Sequence, residues 1–216
     1  QGAPLVPIGD ELLFSEYNYC LNLGGYSNIS YKSNNKRLAH DICPVNKALN
    51  HFSAKEGKEY DEGGDLGRKG KPIKELLTEL NQLEFYHTTG PKSLGDDWLN
   101  AAFFKITEKY EGRYSTSDIL RTIYEHIAKQ IAKATDYTGN KKILTTGGGA
   151  HNQFLIECIS EQNRNQLIIP DDQLIDFKES LIFALMGVLR VQNKNNCLAS
   201  VTGAKKDNSG GVIHSI

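Results

Sequence analysis

The sequence has no block of like charges and no long apolar run. Its 216 residues include 25 basic and 26 acidic side chains, which give a formal net charge of −1. Binding of a phosphate backbone needs a basic stripe, so nucleic acid is not expected as a partner. The mean hydropathy is −0.45, and no apolar run approaches the roughly 20 residues that a membrane helix needs. The sequence therefore predicts a soluble protein that does not span a membrane.

Cysteine and histidine are few and widely spaced. The four cysteines, Cys20, Cys43, Cys158 and Cys197, form no C-x-x-C pair, and the six histidines show no H-x-x-x-H spacing. These spacings indicate neither a disulfide framework nor a zinc site nor a histidine metal site. Reduced thiols in a cytoplasmic protein are the simplest interpretation.

Residues 142–152, KILTTGGGAHN, have the order of a strand, a glycine turn and the start of a helix. Gly147, Gly148 and Gly149 carry no Cβ, so a phosphate or a flat ring can approach the backbone closely. A helix at roughly 152–162 would point its free N–H groups at the same place. The turn predicts nucleotide binding, although such turns also occur simply to tighten a βα connection. It matches neither G-x-G-x-x-G nor the Gly-Lys-Ser/Thr fingerprint.

Strand and helix patterns alternate along the rest of the chain. Residues 19–41 alternate apolar and polar side chains, which predicts strands joined by hairpins, and a helix is expected from Pro44. The glycine- and charge-rich residues 56–70 predict a surface loop. An amphipathic helix is expected after Pro72.

Two later helices stand out. Ser115 and Asp118 have the spacing of a capping box, and isoleucines recur at helical spacing after them. The last helix, from about Asp176 to Gln192, is apolar on nearly every side, so it is expected to be buried between layers. Residues 85–113 mix turn residues with aromatic ones and are interpreted as packed on the main domain.

The order β-β-β-α-β-α-β-α predicts a mixed α/β sheet with helices on both faces, plus a mainly helical insertion at about 56–113. The same order is that of the ribonuclease-H-like lobe in the superfamily of sugar kinases, Hsp70 and actin. Residues 1–216 are interpreted as one such lobe. Ligands of such sheets bind at the carboxyl ends of strands, where Asp41 and the glycine turn are expected.

Two carboxylates are candidates for chemistry. Asp41 is expected at a strand end, where it could accept a proton from an attacking hydroxyl or water during phosphoryl transfer. Capping of the following helix explains it equally well. Glu179 is expected to open an otherwise apolar helix, which indicates a partner or a function, with stabilisation of the helix dipole as the alternative.

A second group of candidates lies in turns. Gly24, Gly25 and Asn28 would form another close backbone approach at a hairpin, although an ordinary tight hairpin is the commoner explanation. Lys92 and Ser93, in the segment GPKSLGDDW, could contact an anion or a sugar. A solvated loop explains these two residues equally well.

Several segments together resemble the C-terminal part of the anhydro-N-acetylmuramic acid kinase family. They are QGAPLVP, LNLGGYSNIS, HDICPVN, YDEGGDLG, PKSLG, TTGGGAHN, FKESLIFALMG, and SVTGA with SGGVI. The resemblance implies an actin-like ATPase fold and an enzyme that uses ATP with magnesium. Its reaction would open the 1,6-anhydro ring of a cell-wall sugar while phosphorylating O6. A homodimer is left open.

The resemblance also implies roles for particular residues. Asp41 corresponds to the catalytic aspartate, which is thought to activate the water that attacks the anomeric carbon. Glu179 corresponds to a carboxylate at the sugar site. The phosphate-side motif is matched by Gly24, Gly25 and Asn28. The nucleotide motif is matched by Gly147, Gly148, Gly149 and Asn152.

The chain departs from the family pattern in two ways. Most members read Asp-Thr-Gly-Pro-Gly-Asn where this chain has DICPVN at 41–46, so Cys43 and Val45 replace glycines and reduce the freedom of the backbone. The family's first phosphate loop, Gly-x-Met-Ser-Gly-Thr-Ser-x-Asp-Gly, lies in an N-terminal lobe that this sequence lacks. The chain alone is therefore expected to be a poor catalyst. A non-catalytic actin-like domain with a regulatory or scaffolding role is the alternative.

Overall fold

The computed structural model describes residues 5–136 and 139–214, and five strands form one sheet over these residues. The strands are β1 Tyr19–Leu23, β2 Tyr26–Ser33, β3 Lys36–Pro44, β4 Lys142–Thr146 and β5 Gln166–Ile168. The α-helices are α1 Pro7–Leu13, α2 Asn46–Lys55, α3 Asp65–Lys69, α4 Lys74–Asn81, α5 Asp96–Trp98, α6 Lys105–Thr107, α7 Thr116–Ala134, α8 Gln153–Gln162, α9 Asp172–Val191 and α10 Ala199–Thr202. A π-helical segment covers Leu99–Phe104, and short 3-10 turns cover Glu62–Gly64, Glu84–His87 and Gly148–His151.

The strand order is β3-β2-β1-β4-β5. β1 to β3 are antiparallel neighbours, whereas β4 runs parallel to both β1 and β5. This is the ribonuclease-H-like arrangement that the element order predicts, and the prediction of a mixed sheet is confirmed. Asn34 and Asn35 both have positive φ, which suits the tight turn that joins β2 to β3.

One face of the sheet is covered by α2, α7 and α8, with α4 packed on α7. The predicted apolar stripe of α7 is fully or almost fully buried there: Ile119, Ile123, Ile127 and Ile131. Its predicted cap is also present, because Ser115 Oγ accepts from the backbone N–H of Asp118 at 3.1 Å. This face holds the larger apolar cluster of the chain, and we call it the core face.

The opposite face is covered by α1 and α9, and we call it the α9 face. A smaller apolar cluster there contains Ile8, Phe14, Cys20, Leu144, Ile182 and Met186. Beside it Lys178 Nζ lies 2.7 Å from Asp10 Oδ1, with the side chains 7% and 4% exposed. Ser30 Oγ donates to the other carboxylate oxygen of Asp10. The α9 face is therefore held partly by a buried ion pair.

The prediction that the last helix is buried between layers is wrong. Only one stripe of α9 is buried, namely Ile175, Lys178, Ile182 and Met186, whereas Phe177 and Val188 are 62% and 52% exposed. A helix whose sequence is apolar on every side need not pack against the rest of the chain on every side. Neither α9 nor any other helix in the described ranges is long and apolar enough to cross a membrane.

Two further predictions need correction. The helix expected from Pro44 begins at Asn46, because Pro44 still pairs with Tyr26 at the end of β3. Residues 56–70 are only partly a loop, since they include a 3-10 turn and α3. The physical reason is the buried carboxylate of Asp61, which accepts from the backbone N–H groups of the next helix. The whole segment between α2 and α7 is mainly helical, as predicted.

Candidate active site

A row of polar side chains crosses four neighbouring strands on the α9 face. The register pairs Thr146 with Asn22, Asn22 with Asn28, and Asn28 with Asp41. Paired residues of neighbouring strands point to the same face of a sheet, and side chains alternate between faces along each strand. The next row on this face contains Leu144, Cys20 and Ser30, which are buried beneath α1 and α9. The polar row therefore lies where the cover of this face ends.

One cavity, of about 370 Å³, opens at the glycine-turn end of this row, and we call it the glycine cavity. Asn22 and Thr146 of the row line it, and α9 closes it on the other side. Five of the predicted site residues also line it: Gly24, Asn28, Gly147, Gly148 and Glu179. The structure thus brings together residues from β1, β2, β4 and α9 that are far apart in sequence.

The three glycines of the turn are present for different reasons. Gly147 has φ 84°, and a Cβ there would lie 2.4 Å from Asn22 Oδ1. A Cβ at Gly149 would lie 2.9 Å from the carbonyl oxygen of Leu23. At Gly148 the nearest atom to a Cβ, Asn46 Nδ2, is 3.7 Å away. The fold therefore requires Gly147 and Gly149, whereas Gly148 leaves the backbone open towards the cavity.

The helix after the turn does not present its N–H groups to the cavity as expected. A 3-10 turn separates it from the strand, and Asn152 then caps α8 by accepting from the N–H of Leu155 at 3.0 Å. The Asn152 amide donates to the Tyr124 hydroxyl at 2.8 Å. Asn152 thus lies behind the turn rather than in the cavity lining.

Asp61 and Tyr124, which the sequence did not single out, complete the hydrogen-bond network of Asn152 behind the glycine turn. The buried carboxylate of Asp61 accepts from the backbone N–H groups of Leu66 at 2.8 Å and Gly67 at 2.9 Å, and from the Tyr124 hydroxyl at 3.0 Å. Burial raises the pKa of Tyr124, so its hydroxyl remains a donor. The family-like segment YDEGGDLG, which contains Asp61, was the available signal.

The hairpin turn at Gly24 and Gly25 is fixed by the start of α2. The backbone N–H of Asn46 donates to the Gly24 carbonyl at 3.1 Å, and that of Val45 donates to Gly25 at 2.9 Å. A Cβ at Gly25 would lie 3.1 Å from Lys47 Cγ. Gly25 therefore lies against α2, whereas Gly24 faces the glycine cavity.

Asp41 ends the polar row on the edge strand β3. It is half-buried, its Oδ2 accepts from the backbone N–H of Leu94 at 2.7 Å, and its own N–H donates to the Lys92 carbonyl at 3.0 Å. Burial raises the pKa of Asp41, and the hydrogen bond from Leu94 opposes that shift. The alternative that Asp41 caps α2 is wrong, because that helix begins five residues later and its N-cap, Val45, makes no side-chain cap.

A second cavity, of about 290 Å³, lies along the outer edge of β3, and we call it the edge cavity. Asp41 and Lys92 line it, together with His40, Gln130 and Lys133. Ser93 is exposed and is not among the lining residues. Of the two loop residues singled out from the sequence, only Lys92 faces a cavity.

The two departures beside Asp41 lie in the core rather than in the site. Cys43 and Val45 are fully buried in the apolar cluster of the core face. Burial raises the pKa of the Cys43 thiol to about 12. These side chains therefore fill space inside the fold and leave the lining of both cavities unchanged.

Glu179 does not open a helix. α9 begins at Asp172, and Asp171 caps it by accepting from the N–H of Leu174 at 2.9 Å. Glu179 lies further along α9, so stabilisation of the helix dipole does not explain it. Its exposed carboxylate lines the glycine cavity and forms no ion pair within the described residues.

The chain is similar to known proteins both as a member of a family and in its individual relatives. The family model described as anhydro-N-acetylmuramic acid kinase matches residues 1–215. An anhydro-N-acetylmuramic acid kinase of Haemophilus influenzae is 33% identical over 99% of this chain, and one of Gamma-proteobacterium EBAC31A08 is 34% identical over all of it. The chain spans 61% and 60% of the length of these two relatives.

A solved structure with a similar fold supports the topology. The activator of the 2-hydroxyisocaproyl-CoA dehydratase from Clostridium difficile with bound ADPNP matches with a TM-score of 0.51 at 15% identity. The match covers 87% of this chain and 66% of that one. At this identity the likeness shows a common fold alone.

Proposed function

The chain belongs to the anhydro-N-acetylmuramic acid kinase family, and we propose that it provides the nucleotide cavity and the catalytic base of such an enzyme. The proposed reaction opens the 1,6-anhydro ring of the sugar with water and transfers the γ-phosphoryl group of ATP to O6. The observation that carries the proposal is the polar row from Thr146 to Asp41. It connects a glycine-lined cavity to a half-buried carboxylate on one face of the sheet.

The glycine cavity is proposed to hold the nucleotide phosphates. Gly148 leaves its backbone accessible there, and the amide side chains of Asn22 and Asn28 offer further hydrogen-bond donors. Lys178 also lines the cavity, but its charge is already paired with Asp10. Gly147, Gly149 and Asn152 are proposed to act indirectly, by holding the turn in place.

The carboxylates at the rim of the glycine cavity fit a nucleotide that arrives with Mg²⁺. Asp176 and Glu179 are both exposed there, although Oδ1 of Asp176 already lies 3.0 Å from His151 Nε2. Mg²⁺ commonly binds one or two carboxylates together with phosphate oxygens. When bound, the ion would neutralise charge on the phosphates. Glu179, which the family resemblance assigns to the sugar, faces the same space.

Asp41 is proposed to act as the general base. As water adds to the anomeric carbon, its proton passes to the Asp41 carboxylate, and the bond from that carbon to O6 breaks. The O6 oxygen then takes the γ-phosphoryl group while ADP leaves. The N–H of Leu94 fixes Oδ2 of Asp41, and the raised pKa of this carboxyl makes it a stronger base than an exposed aspartate.

Calorimetry with Mg·ATP tests the nucleotide half of the proposal. We expect the chain to bind ATP and the Gly148→Val variant to lose measurable binding, because a branched side chain would occupy the open approach at this position. Gly187→Val is the matched control, since a Cβ there meets no atom within 4 Å. Absence of binding by the unmodified chain, or equal binding by Gly148→Val, would contradict the assignment.

A further inference from the structure

A chain of hydrogen bonds behind the glycine turn ends on a buried carboxylate. The Asn152 amide donates to the Tyr124 hydroxyl at 2.8 Å, and that hydroxyl donates to Asp61 Oδ2 at 3.0 Å. Tyr124 is fully buried and Asp61 is 3% exposed. A phenol has one proton to donate and an oxygen that accepts, so this hydroxyl has a partner in both roles. It therefore fixes the direction in which the Asn152 amide points.

The carboxylate at the end of this chain is held from several directions. Asp61 also accepts from the backbone N–H groups of Leu66 at 2.8 Å and Gly67 at 2.9 Å, at the start of α3. Within the described ranges it forms no ion pair with a cationic side chain. Hydrogen bonds must therefore offset the cost of its burial. Tyr124 contributes the one that comes from α7.

The segment that carries Asp61 lies directly against the start of α8. Gly64 has φ 80°, and a Cβ there would lie 2.7 Å from Asn152 Oδ1 and 2.3 Å from Phe154 Cβ. A residue without a Cβ is required for so close an approach. The backbone of residues 61–67 is therefore packed against Asn152, in addition to its hydrogen bonds with Tyr124.

Asn152 connects this network to the glycine turn. Its backbone N–H donates to the Gly149 carbonyl at 3.1 Å, and the N–H of Ala150 donates to the Gly147 carbonyl at 2.8 Å. These two hydrogen bonds close the turn whose first residues line the glycine cavity. The side chain of Asn152 thus belongs to the buried network, while its backbone belongs to the turn.

We propose that Tyr124 is a positioning residue for the nucleotide. Its hydroxyl aligns Asn152 and thereby holds the backbone of residues 147–149 in the shape that accepts the phosphates. The inference rests on the proposed function and adds to it a residue that is not part of the cavity lining. Loss of the hydroxyl should loosen the turn and weaken nucleotide binding, although no ligand atom is touched.

The Tyr124→Phe variant removes the hydroxyl and keeps the ring. We expect it to bind Mg·ATP about tenfold more weakly in calorimetry, because a hydrogen bond to a charged group is lost. Without nucleotide, the amide protons of Ala150 and Asn152 should exchange with solvent about tenfold faster, because the turn opens more often. Tyr110→Phe is the matched control. It removes a core-face hydroxyl that donates to Glu79 at 2.7 Å and should change neither quantity.

A second variant tests the same link without altering Tyr124. Asn152→Ser keeps an oxygen that can cap α8, but its side chain is too short to reach the Tyr124 hydroxyl. It should weaken binding of Mg·ATP about tenfold as well. The double variant with Tyr124→Phe should bind no more weakly than either single variant, because both changes remove one link. Unfolding curves in urea verify that every variant retains the fold.

Three results would overturn the inference: unchanged amide exchange at the turn in Tyr124→Phe, equal changes in Tyr110→Phe, or losses of affinity that multiply in the double variant. If the unmodified chain and Tyr124→Phe bind Mg·ATP equally well, the inference fails and the nucleotide assignment stands. If the unmodified chain does not bind Mg·ATP, the nucleotide assignment fails. The exchange rates then decide by themselves whether Tyr124 holds the turn.

Discussion

The two faces of the sheet are stabilised in different ways. On the core face, large side chains such as Phe52, Ile123 and Tyr124 are fully buried in one continuous apolar cluster. On the α9 face a much smaller apolar cluster lies beside the ion pair of Asp10 and Lys178. The polar row and the glycine cavity belong to this second face. Stability and proposed chemistry are thus largely carried by opposite sides of one sheet.

Substitution of Asp41 should show the largest effect, and it should be on activity rather than folding. In the full-length enzyme we expect Asp41→Asn to lower kcat by about a thousandfold, because the amide cannot accept the proton from water. The amide oxygen can still accept from Leu94, so the unfolding free energy should change little. Asp97→Asn, at an exposed position of α5, is the control. Near-normal turnover of Asp41→Asn would remove Asp41 from the mechanism.

Breaking the buried ion pair should have the largest effect on stability of the α9 face. Asp10→Asn leaves the Lys178 ammonium buried without a counter-charge and should lower the free energy of unfolding by about 3 kcal/mol in urea titrations. The double variant Asp10→Asn/Lys178→Met should recover most of this loss. Glu157→Gln breaks the exposed pair with Arg68 and should leave stability unchanged. Equal effects of the two single variants would refute the special role of the buried pair.

Mild acid should lower the stability of the fold chiefly through His126, a buried histidine on the core face. Burial lowers the pKa of His126 to about 3, and its ring nitrogens lie 3.0 Å from Asn81 Oδ1 and 2.9 Å from the Tyr86 hydroxyl. The unfolded chain protonates this histidine below about pH 6.5 whereas the folded chain does not, so stability falls as pH decreases through this window. Between pH 6.5 and pH 5 the expected loss is about 2 kcal/mol.

The His126→Gln variant provides the comparison for that pH dependence. Its unfolding free energy should vary less between pH 6.5 and pH 5 than that of the unmodified chain, whatever its absolute stability. Parallel pH profiles for the two proteins would show that His126 is not the responsible group.

The smallest expected effects are on stability, and they should differ between two glycines of the turn. Gly147→Ala should lower the free energy of unfolding by about 1–2 kcal/mol, because φ is positive and Asn22 lies too close to the added Cβ. Gly148→Ala should change it by less than about 0.5 kcal/mol. Thermal unfolding of both variants checks this order, and a larger loss for Gly148→Ala would reverse the assignment of the two residues.

Sequence patterns predicted the core face better than the α9 face. The isoleucine spacing of α7 identified its buried stripe, because the partners of that stripe lie in the same chain. The apolar sequence of α9 led to the wrong prediction that this helix is buried between layers. Hydrophobicity alone does not indicate which surface a side chain packs against. Glu179 was misplaced at a helix start for a related reason. The cap at Asp171 lies in a stretch where the apolar pattern is weak.

The site was predictable where its residues share a short motif. Gly24, Gly147 and Gly148 come from two glycine turns and Asn28 from the strand after the first turn, and the sheet brings them to one cavity. Asp61 and Tyr124 were missed because their link to Asn152 joins three distant segments. The sequence also does not show that the fold requires Gly147 but not Gly148, because this difference depends on the position of Asn22 in a neighbouring strand.

The central claim is that the end of the polar row beside the glycine turn binds the nucleotide. Amide NMR of the chain during a titration with Mg·ATP tests it most directly. We expect shifts that saturate at Gly24, Asn28, Gly147 and Gly148, with no shift for core-face residues such as Ala128 in α7. Saturable shifts confined to the core face, or none at the glycine turn, would contradict it.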